Sequence, residues 1–273
     1  MTHRLPRIGI ALGAGSARGW AHIGVLQALQ EHGIVPDLVC GTSIGALVGA
    51  AYADDRLNEL ERWVSSLTWR KVVGFLDIGF SSGLLKGNRL FSFLKGDLLD
   101  KRVEELKRPY AAVATDLNTG REIWLREGPV ADAVRASIAM PGLFTPWSDD
   151  ERLLVDGALV NPVPVSLARA MDADFVIAVD LNANLVGRYA RAAKNGVPLK
   201  RLGMIDVLTS SLNIMSERIT RSRLAGEPAE VVIQPRLAEL GLMEYHRGAE
   251  AIAEGRAAAE IMIPQIKRLL DEA

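Results

Sequence analysis

Three stretches of the chain carry residue types that could do chemistry together. The first is Gly41-Thr42-Ser43-Ile44-Gly45, a G-x-S-x-G pattern between an apolar run and a small-residue segment of helical character. A serine on such a strand-to-helix turn is pushed out of the sheet edge, and the flanking glycines let neighbouring backbone pass close by. The helix that follows would point its positive end at Ser43, favouring negative charge on the hydroxyl oxygen or on an attacked carbonyl. The chemistry this permits is nucleophilic attack through a covalent intermediate. An ordinary strand-to-helix turn is the alternative.

The second stretch is Gly13-Ala14-Gly15-Ser16-Ala17-Arg18-Gly19, a small-residue turn opening a helix. Successive backbone N–H groups at such a turn form a concavity for an anion, either a phosphate or an oxyanion. A dinucleotide fingerprint read from Gly13 needs a third glycine where Arg18 stands, which weakens a nucleotide-binding reading. The third is Asp156-Gly157-Ala158, between the apolar run Leu153-Leu154-Val155 and Asn161-Pro162-Val163-Pro164. An aspartate at the carboxyl end of a buried strand stands where ligand-facing residues gather in open α/β sheets. A surface Asp-Gly turn is its alternative.

A histidine base is hard to supply. The chain has His3, His22, His32 and His246, and only His246 follows Ser43 and an acid in the order of an α/β-hydrolase. That rival reading pairs Ser43 with His246, although only one strand precedes the serine. A carboxylate can take the proton directly, but an ordinary aspartate near pKa 3.9 lies about three units below a base matched to pH 7. That gap withholds roughly 4 kcal/mol of driving force. Partial burial of Asp156 would raise its pKa and recover some of it.

The elements that must position these groups read as alternating strands and helices. Ile8-Gly9-Ile10-Ala11-Leu12 is a strand, Ala17–Gln30 a helix, Asp37–Cys40 a buried strand, and Gly45–Ala53 a helix whose Gly41, Gly45 and Gly49 leave one face bare. Further strands are expected at 110–114, 121–125, 152–155, 175–180 and 230–233. Helices are expected near 130–137, 163–171, 203–223 and 246–271. The pattern implies a largely parallel sheet covered on both faces. In the 203–223 helix, Ile205, Leu208, Leu212, Met215 and Ile219 form one stripe, read as core packing. Trp69 to Phe93 is rich in apolar residues; core is the default, a lid or acyl-chain wall the alternative. Residues 183–202, with Arg188, Arg191, Lys194, Lys200 and Arg201, read as a mobile surface loop or a headgroup patch.

Over 273 residues, 32 basic and 33 acidic side chains give a net charge of −1, which argues against nucleic-acid binding driven by bulk charge. The lone cysteine, Cys40, excludes an internal disulfide and fits a reducing compartment. Arg18 interrupts the apolar residues 8–17 that could pass for a signal peptide. The longest uncharged stretch, Leu38 to Ala53, is sixteen residues and falls short of a membrane span.

Together the motifs resemble the patatin-like phospholipase family, in its short bacterial, RssA-like subgroup. The resemblance runs from Ile8 to about Arg256. It rests on Gly13 to Val25, on Gly41 to Gly45, on Arg135-Ala136-Ser137-Ile138-Ala139-Met140-Pro141-Gly142-Leu143-Phe144, and on Asp156-Gly157-Ala158, in that order. It implies a three-layer α/β/α fold with a central, mostly parallel sheet, of the FabD/lysophospholipase type. It also implies a Ser–Asp dyad without catalytic histidine, acting on lipid carboxylic esters without metal or organic cofactor. By this resemblance Ser43 is the nucleophile, Asp156 the base, and Ala14, Gly15 and Ser16 the backbone oxyanion donors, with Arg18 steadying their loop. Ala14 and Ser16 depart from the family's glycines and lack glycine's freedom at positive φ. Cys40 reads as a small buried residue.

The expected organisation is a single domain over 1–273, with a core at about 7–182 and 228–235, an insertion at about 69–95, a helical region at about 183–226 and a C-terminal helix at about 246–271. The expected location is cytoplasmic. Peripheral contact with the inner face of a membrane and homo-oligomerisation stay open, as does a non-catalytic regulatory module retaining the fold.

Overall fold

The structure, a computed structural model, describes residues 5–75, 100–149, 151–183, 185 and 204–272. Within this range the alternating pattern forms as the apolar runs dictate. The strands are β1 (Ile8–Leu12), β2 (Leu38–Thr42), β3 (Tyr110–Asp116), β4 (Glu122–Leu125), β5 (Trp147–Ser148), β6 (Leu153–Asp156), β7 (Phe175–Val179) and β8 (Val231–Ile233). The α-helices are α1 (Ala21–Glu31), α2 (Ile44–Ala53), α3 (Leu57–Ser65), α4 (Trp69–Phe75), α5 (Val130–Ser137), α6 (Val165–Ala170), α7 (Met204–Gly226) and α8 (Gly248–Asp271).

The sheet runs β5-β6-β3-β2-β1-β7-β8, with β4 also paired to β3. The pairs joining β3, β2, β1, β7 and β8 are parallel, whereas β4 and β6 pair antiparallel with β3 and β5 does so with β6. Central strands are apolar on both faces because both are covered. Ile10, Leu12, Val39, Ile177 and Val179 join the core beneath α1, α2, α5 and α8. Their neighbours Ala11, Leu38, Cys40, Val176 and Ala178 pack on the opposite side with Val165, Leu167 and Ala168 of α6. The result is the expected three-layer α/β/α sandwich with a mostly parallel sheet.

Register does the positioning. β3 pairs Val113 with Thr42 of β2, and the next residue, Ala114, with Asp156 of β6. The ends of two strands far apart in sequence are thereby set side by side, with Ser43, just past β2, 113 residues before Asp156. Small residues allow the packing to close: a Cβ on Gly41 would meet the Gly45 carbonyl carbon at 2.3 Å, and one on Gly45 the Leu12 carbonyl oxygen at 2.2 Å.

One expectation is corrected. The α7 stripe was expected to lie in the core, yet Leu208 is 56 % and Met215 49 % exposed. Periodicity defines a face without saying which side meets water, and here the inward side is mostly polar. Ile205's side chain lies outside the described residues, as do His3, residues 76–99 of the apolar stretch from Trp69, and residues 183–202 apart from 183 and 185. Trp69 itself is exposed on α4, and Val72 is buried. Among the described residues no helix is long and apolar enough to cross a membrane.

Candidate active site

Ser43 follows the last residue of β2 and precedes α2, with φ 57° and ψ −124°. A non-glycine residue in this region is strained by about 1–3 kcal/mol, and such strain persists where surroundings over-determine it. Here they do. The Ser43 N–H donates to Ser137 Oγ at 2.8 Å, and that hydroxyl donates onward to the Val113 carbonyl at 2.7 Å. Thr42 Oγ1 donates to the Asn161 carbonyl at 2.8 Å. The turn is thus tied to β3, to the end of α5 and to the loop after β6, while its side chain stands at the N-terminus of α2.

Ser43 Oγ donates to Asp156 Oδ2 at 2.7 Å. Asp156 is held in turn: its Oδ1 accepts from the Ala158 N–H at 2.8 Å, its N–H donates to the Ala139 carbonyl, and its carbonyl accepts from Thr115 Oγ1. Burial pushes its pKa from 3.8 up to about 6, against the lowering pull of the Ser43 hydroxyl and the Ala158 N–H. An ordinary aspartate is too weak a base near neutrality; this one is nearly matched to it.

The Gly13–Ser16 turn lies alongside. Its carbonyls are drawn away from the cleft: Gly13's accepts from His22 Nε2 at 2.8 Å, Ala14's from Asn182 Nδ2 at 3.0 Å, and Gly15's from Arg18 Nε at 3.1 Å. Buried Arg18 also donates from Nη2 to Asn213 Oδ1 at 3.3 Å. Of the expected donors, Ala14 is engaged elsewhere, since its N–H donates to the Pro162 carbonyl at 2.9 Å. No acceptor among the described residues meets the N–H of Gly15 or Ser16. Ser16 adopts the left-handed conformation that its lost glycine would favour, at φ 53°, whereas Ala14 does not. A 2.6 Å hydrogen bond between Ser16 Oγ and the Tyr245 hydroxyl holds it there.

Ala14, Gly15, Ser16, Arg18 and Asp156 line one cleft with Asn182 and, from α7, Leu212, Asn213 and Ser216; Met140, Pro141, Leu159 and Leu242 add apolar surface. The space is about 40 Å³, room for about three waters. Ser43, 3 % exposed, sits behind Asp156 rather than on the wall.

Of the described histidines, none hydrogen-bonds to this pair. His22 is buried beneath the turn with its pKa lowered to about 4 by burial, so its neutral ring donates to Gly13. His246 is exposed and packs edge-on against Trp69, ring centroids 5.7 Å apart. Cys40 is buried, its thiol pKa pushed up by burial and its Sγ donating to the Pro164 carbonyl. Among the described residues no group of three or more His, Cys, Asp or Glu gathers as metal ligands would.

Sequence reasoning missed Ser137, Asn182, Asn213, Ser216 and Tyr245. Ser137 lies inside the Arg135–Phe144 motif with nothing local to mark its role, and Asn161-Pro162 follows Asp156 with no sign in the sequence of its contacts to Thr42 and Ala14. Tyr245 is 229 residues from Ser16 and carries no local signal.

The patatin-like phospholipase profile matches residues 10–169 of the chain. A Mycobacterium tuberculosis protein described as an uncharacterized NTE family protein is 32 % identical, over 93 % of this chain and 90 % of its own length. A patatin-like phospholipase domain-containing protein of Caenorhabditis elegans is 38 % identical, over 80 % of this chain but 17 % of its own. The human patatin-like phospholipase domain-containing protein 6 is 36 % identical, over 64 % of this chain and 13 % of its own. Among solved structures, VipD from Legionella pneumophila aligns over 98 % of this chain and 67 % of its own, with a TM-score of 0.46 and 13 % identity. With that profile covering more than half of its length and a relative matching almost end to end, the chain belongs to the patatin-like phospholipase family.

Proposed function

We propose that the protein is a serine acyl hydrolase of lipid carboxylic esters, of phospholipase A or lysophospholipase type, working through Ser43 and Asp156. The observation that carries this reading is the 2.7 Å hydrogen bond from a strained serine to a buried aspartate whose pKa is raised to about 6. Relatives named for patatin-like phospholipase domains support the lipid substrate.

In this mechanism Ser43 Oγ attacks the ester carbonyl while Asp156 Oδ2 accepts the hydroxyl proton. The rise of about two units in the aspartate's pKa recovers roughly 3 kcal/mol of proton-transfer driving force. Negative charge develops on the former carbonyl oxygen, toward the N–H groups of Gly15 and Ser16 and the N-terminus of α2; one such donor is worth about 10²–10³ in rate. The intermediate collapses, the C–O bond to the alcohol breaks, and Asp156 returns the proton to the leaving oxygen. Water then gives a proton to Asp156 and attacks the acyl-enzyme, releasing the fatty acid and regenerating Ser43. Arg18, His22, Asn182 and Pro162 keep the turn in shape by holding its backbone.

Hydrolysis of a soluble short-chain ester tests the reading. Ser43→Ala is expected to lower kcat/KM by at least about 10³-fold, and a fluorophosphonate probe to label the intact protein but not the variant. Because Asp156 must be ionised to act as base, kcat/KM rises with pH through about 6 and then levels. Undiminished turnover by Ser43→Ala, or failure of the probe to label intact protein, overturns it, the latter in favour of a non-catalytic module.

A further inference from the structure

α7 is amphipathic the wrong way round. Its inward face carries Ser210, Asn213, Ser216, Glu217 and Thr220, while Val207, Leu208, Ile214 and Met215 point to solvent at 48–56 % exposure. These four recur at the spacing of a single helix face. The inward face is also poorly satisfied, since the hydroxyls of Ser210 and Thr220 are buried with no hydrogen-bond partner among the described residues. Farther along the outward face, apolar residues give way to exposed Arg218 and Arg221, two guanidinium groups ion-paired with the one buried carboxylate of Glu217, which leaves a net positive charge.

We propose that the outward face of α7 docks on an anionic lipid surface, its apolar first half entering the acyl boundary and its arginine-bearing second half lying among the headgroups. An amphipathic helix binds a bilayer by burying such a face with electrostatic help from anionic lipids. A second copy of the chain is the poorer fit, because four half-exposed side chains fall well short of the roughly 800 Å² per partner that a stable interface buries. The opposite face of the same helix supplies Leu212, Asn213 and Ser216 to the cleft beside Asp156. Docking therefore sets the cleft, which α7 walls on one side, at the bilayer. The choice of lipid as occupant rests on the proposed ester-hydrolase reading; the surface itself does not.

The test uses the full chain, intact and as Ser43→Ala, with phosphatidylcholine vesicles containing or lacking phosphatidylglycerol. Both forms are expected to co-sediment with phosphatidylglycerol vesicles. Ile214→Ser/Met215→Ser is expected to weaken this by about tenfold or more while leaving soluble-ester hydrolysis unchanged, since neither residue lines the cleft. Arg218→Glu removes the preference for anionic vesicles. An environment-sensitive dye on Met215→Cys reports insertion directly, because buried Cys40 escapes labelling. Its emission shifts to the blue on adding vesicles, whereas dye on Ile261→Cys, on the exposed face of α8, does not shift. The proposal is overturned if the double variant binds vesicles as well as the parent, if both dyes respond alike, or if the double substitution only converts a dimer to a monomer. Vesicle binding that depends on Ile214 and Met215 in a protein with no esterase activity would keep the surface and discard the ester-hydrolase reading.

Discussion

The two walls of the cleft are built on opposite principles. The floor, made of Ser43, Asp156 and the Gly13–Ser16 turn, grows from strand ends whose register is set by the sheet, and its hydrogen bonds run to backbone at almost every step. The roof, α7, touches the same cleft with Leu212, Asn213 and Ser216, but its inward hydroxyls are partly unmet, and Val207, Leu208, Ile214 and Met215 face away. A site that must hold a hydroxyl and a carboxylate within a few tenths of an ångström needs the first kind of wall. One that must admit a bulky apolar substrate needs something like the second.

Substitutions can sharpen that contrast, and the floor should be far the more sensitive. Asp156→Asn is expected to cut soluble-ester turnover by about 10³-fold or more. It should also stabilise the protein. An acid whose pKa rises on folding favours the native state below its unfolded pKa, and that contribution is lost as pH climbs from about 4 to about 6. The variant should therefore gain about 2 kcal/mol near pH 8 by denaturant titration. His22 has the opposite sign: its folded pKa of about 4 lies below 6.5, so stability falls as pH drops through that window. In the parent the two trends oppose each other. In Asp156→Asn the opposing carboxylate contribution is gone, so stability should fall more steeply between pH 7 and pH 4 than in the parent.

Ser137→Ala leaves the buried Ser43 N–H without its acceptor and removes the donor to the Val113 carbonyl. A loss of about 2–4 kcal/mol in urea, with a clear fall in turnover, is expected; a change below 1 kcal/mol would mean the elbow is held some other way. Tyr245→Phe removes one hydrogen bond to Ser16 and should lower kcat about tenfold at unchanged KM, because the oxyanion turn and not substrate binding is loosened. Asn213→Ala on the roof should change soluble-ester turnover by no more than about twofold. A larger effect there than at Tyr245 would invert the contrast.

Much of the floor was legible in the chain. Ser43 and Asp156 each follow a short apolar run, and such runs mark buried strands whose ends gather at one edge. Their pairing is a tertiary fact, written in how β2 and β6 register on β3, so spacing alone could not supply it. The Gly13–Ser16 turn was readable as small residues, but the diversion of Ala14's N–H to Pro162 depends on a loop nearly 150 positions away. The roof was misread for a physical reason: the Leu208 and Met215 stripe has helical period whether it faces a core or a bilayer.

Val113 and Ala114 are consecutive residues facing Thr42 and Asp156. Sliding β6 by one position would leave Val155 opposite Ala114 and send the acid through to the far side of the sheet. The Ser43–Asp156 hydrogen bond therefore depends on β6 pairing with β3 in this register. On the proposed mechanism, a chain with β6 unpaired would hold the serine without its base.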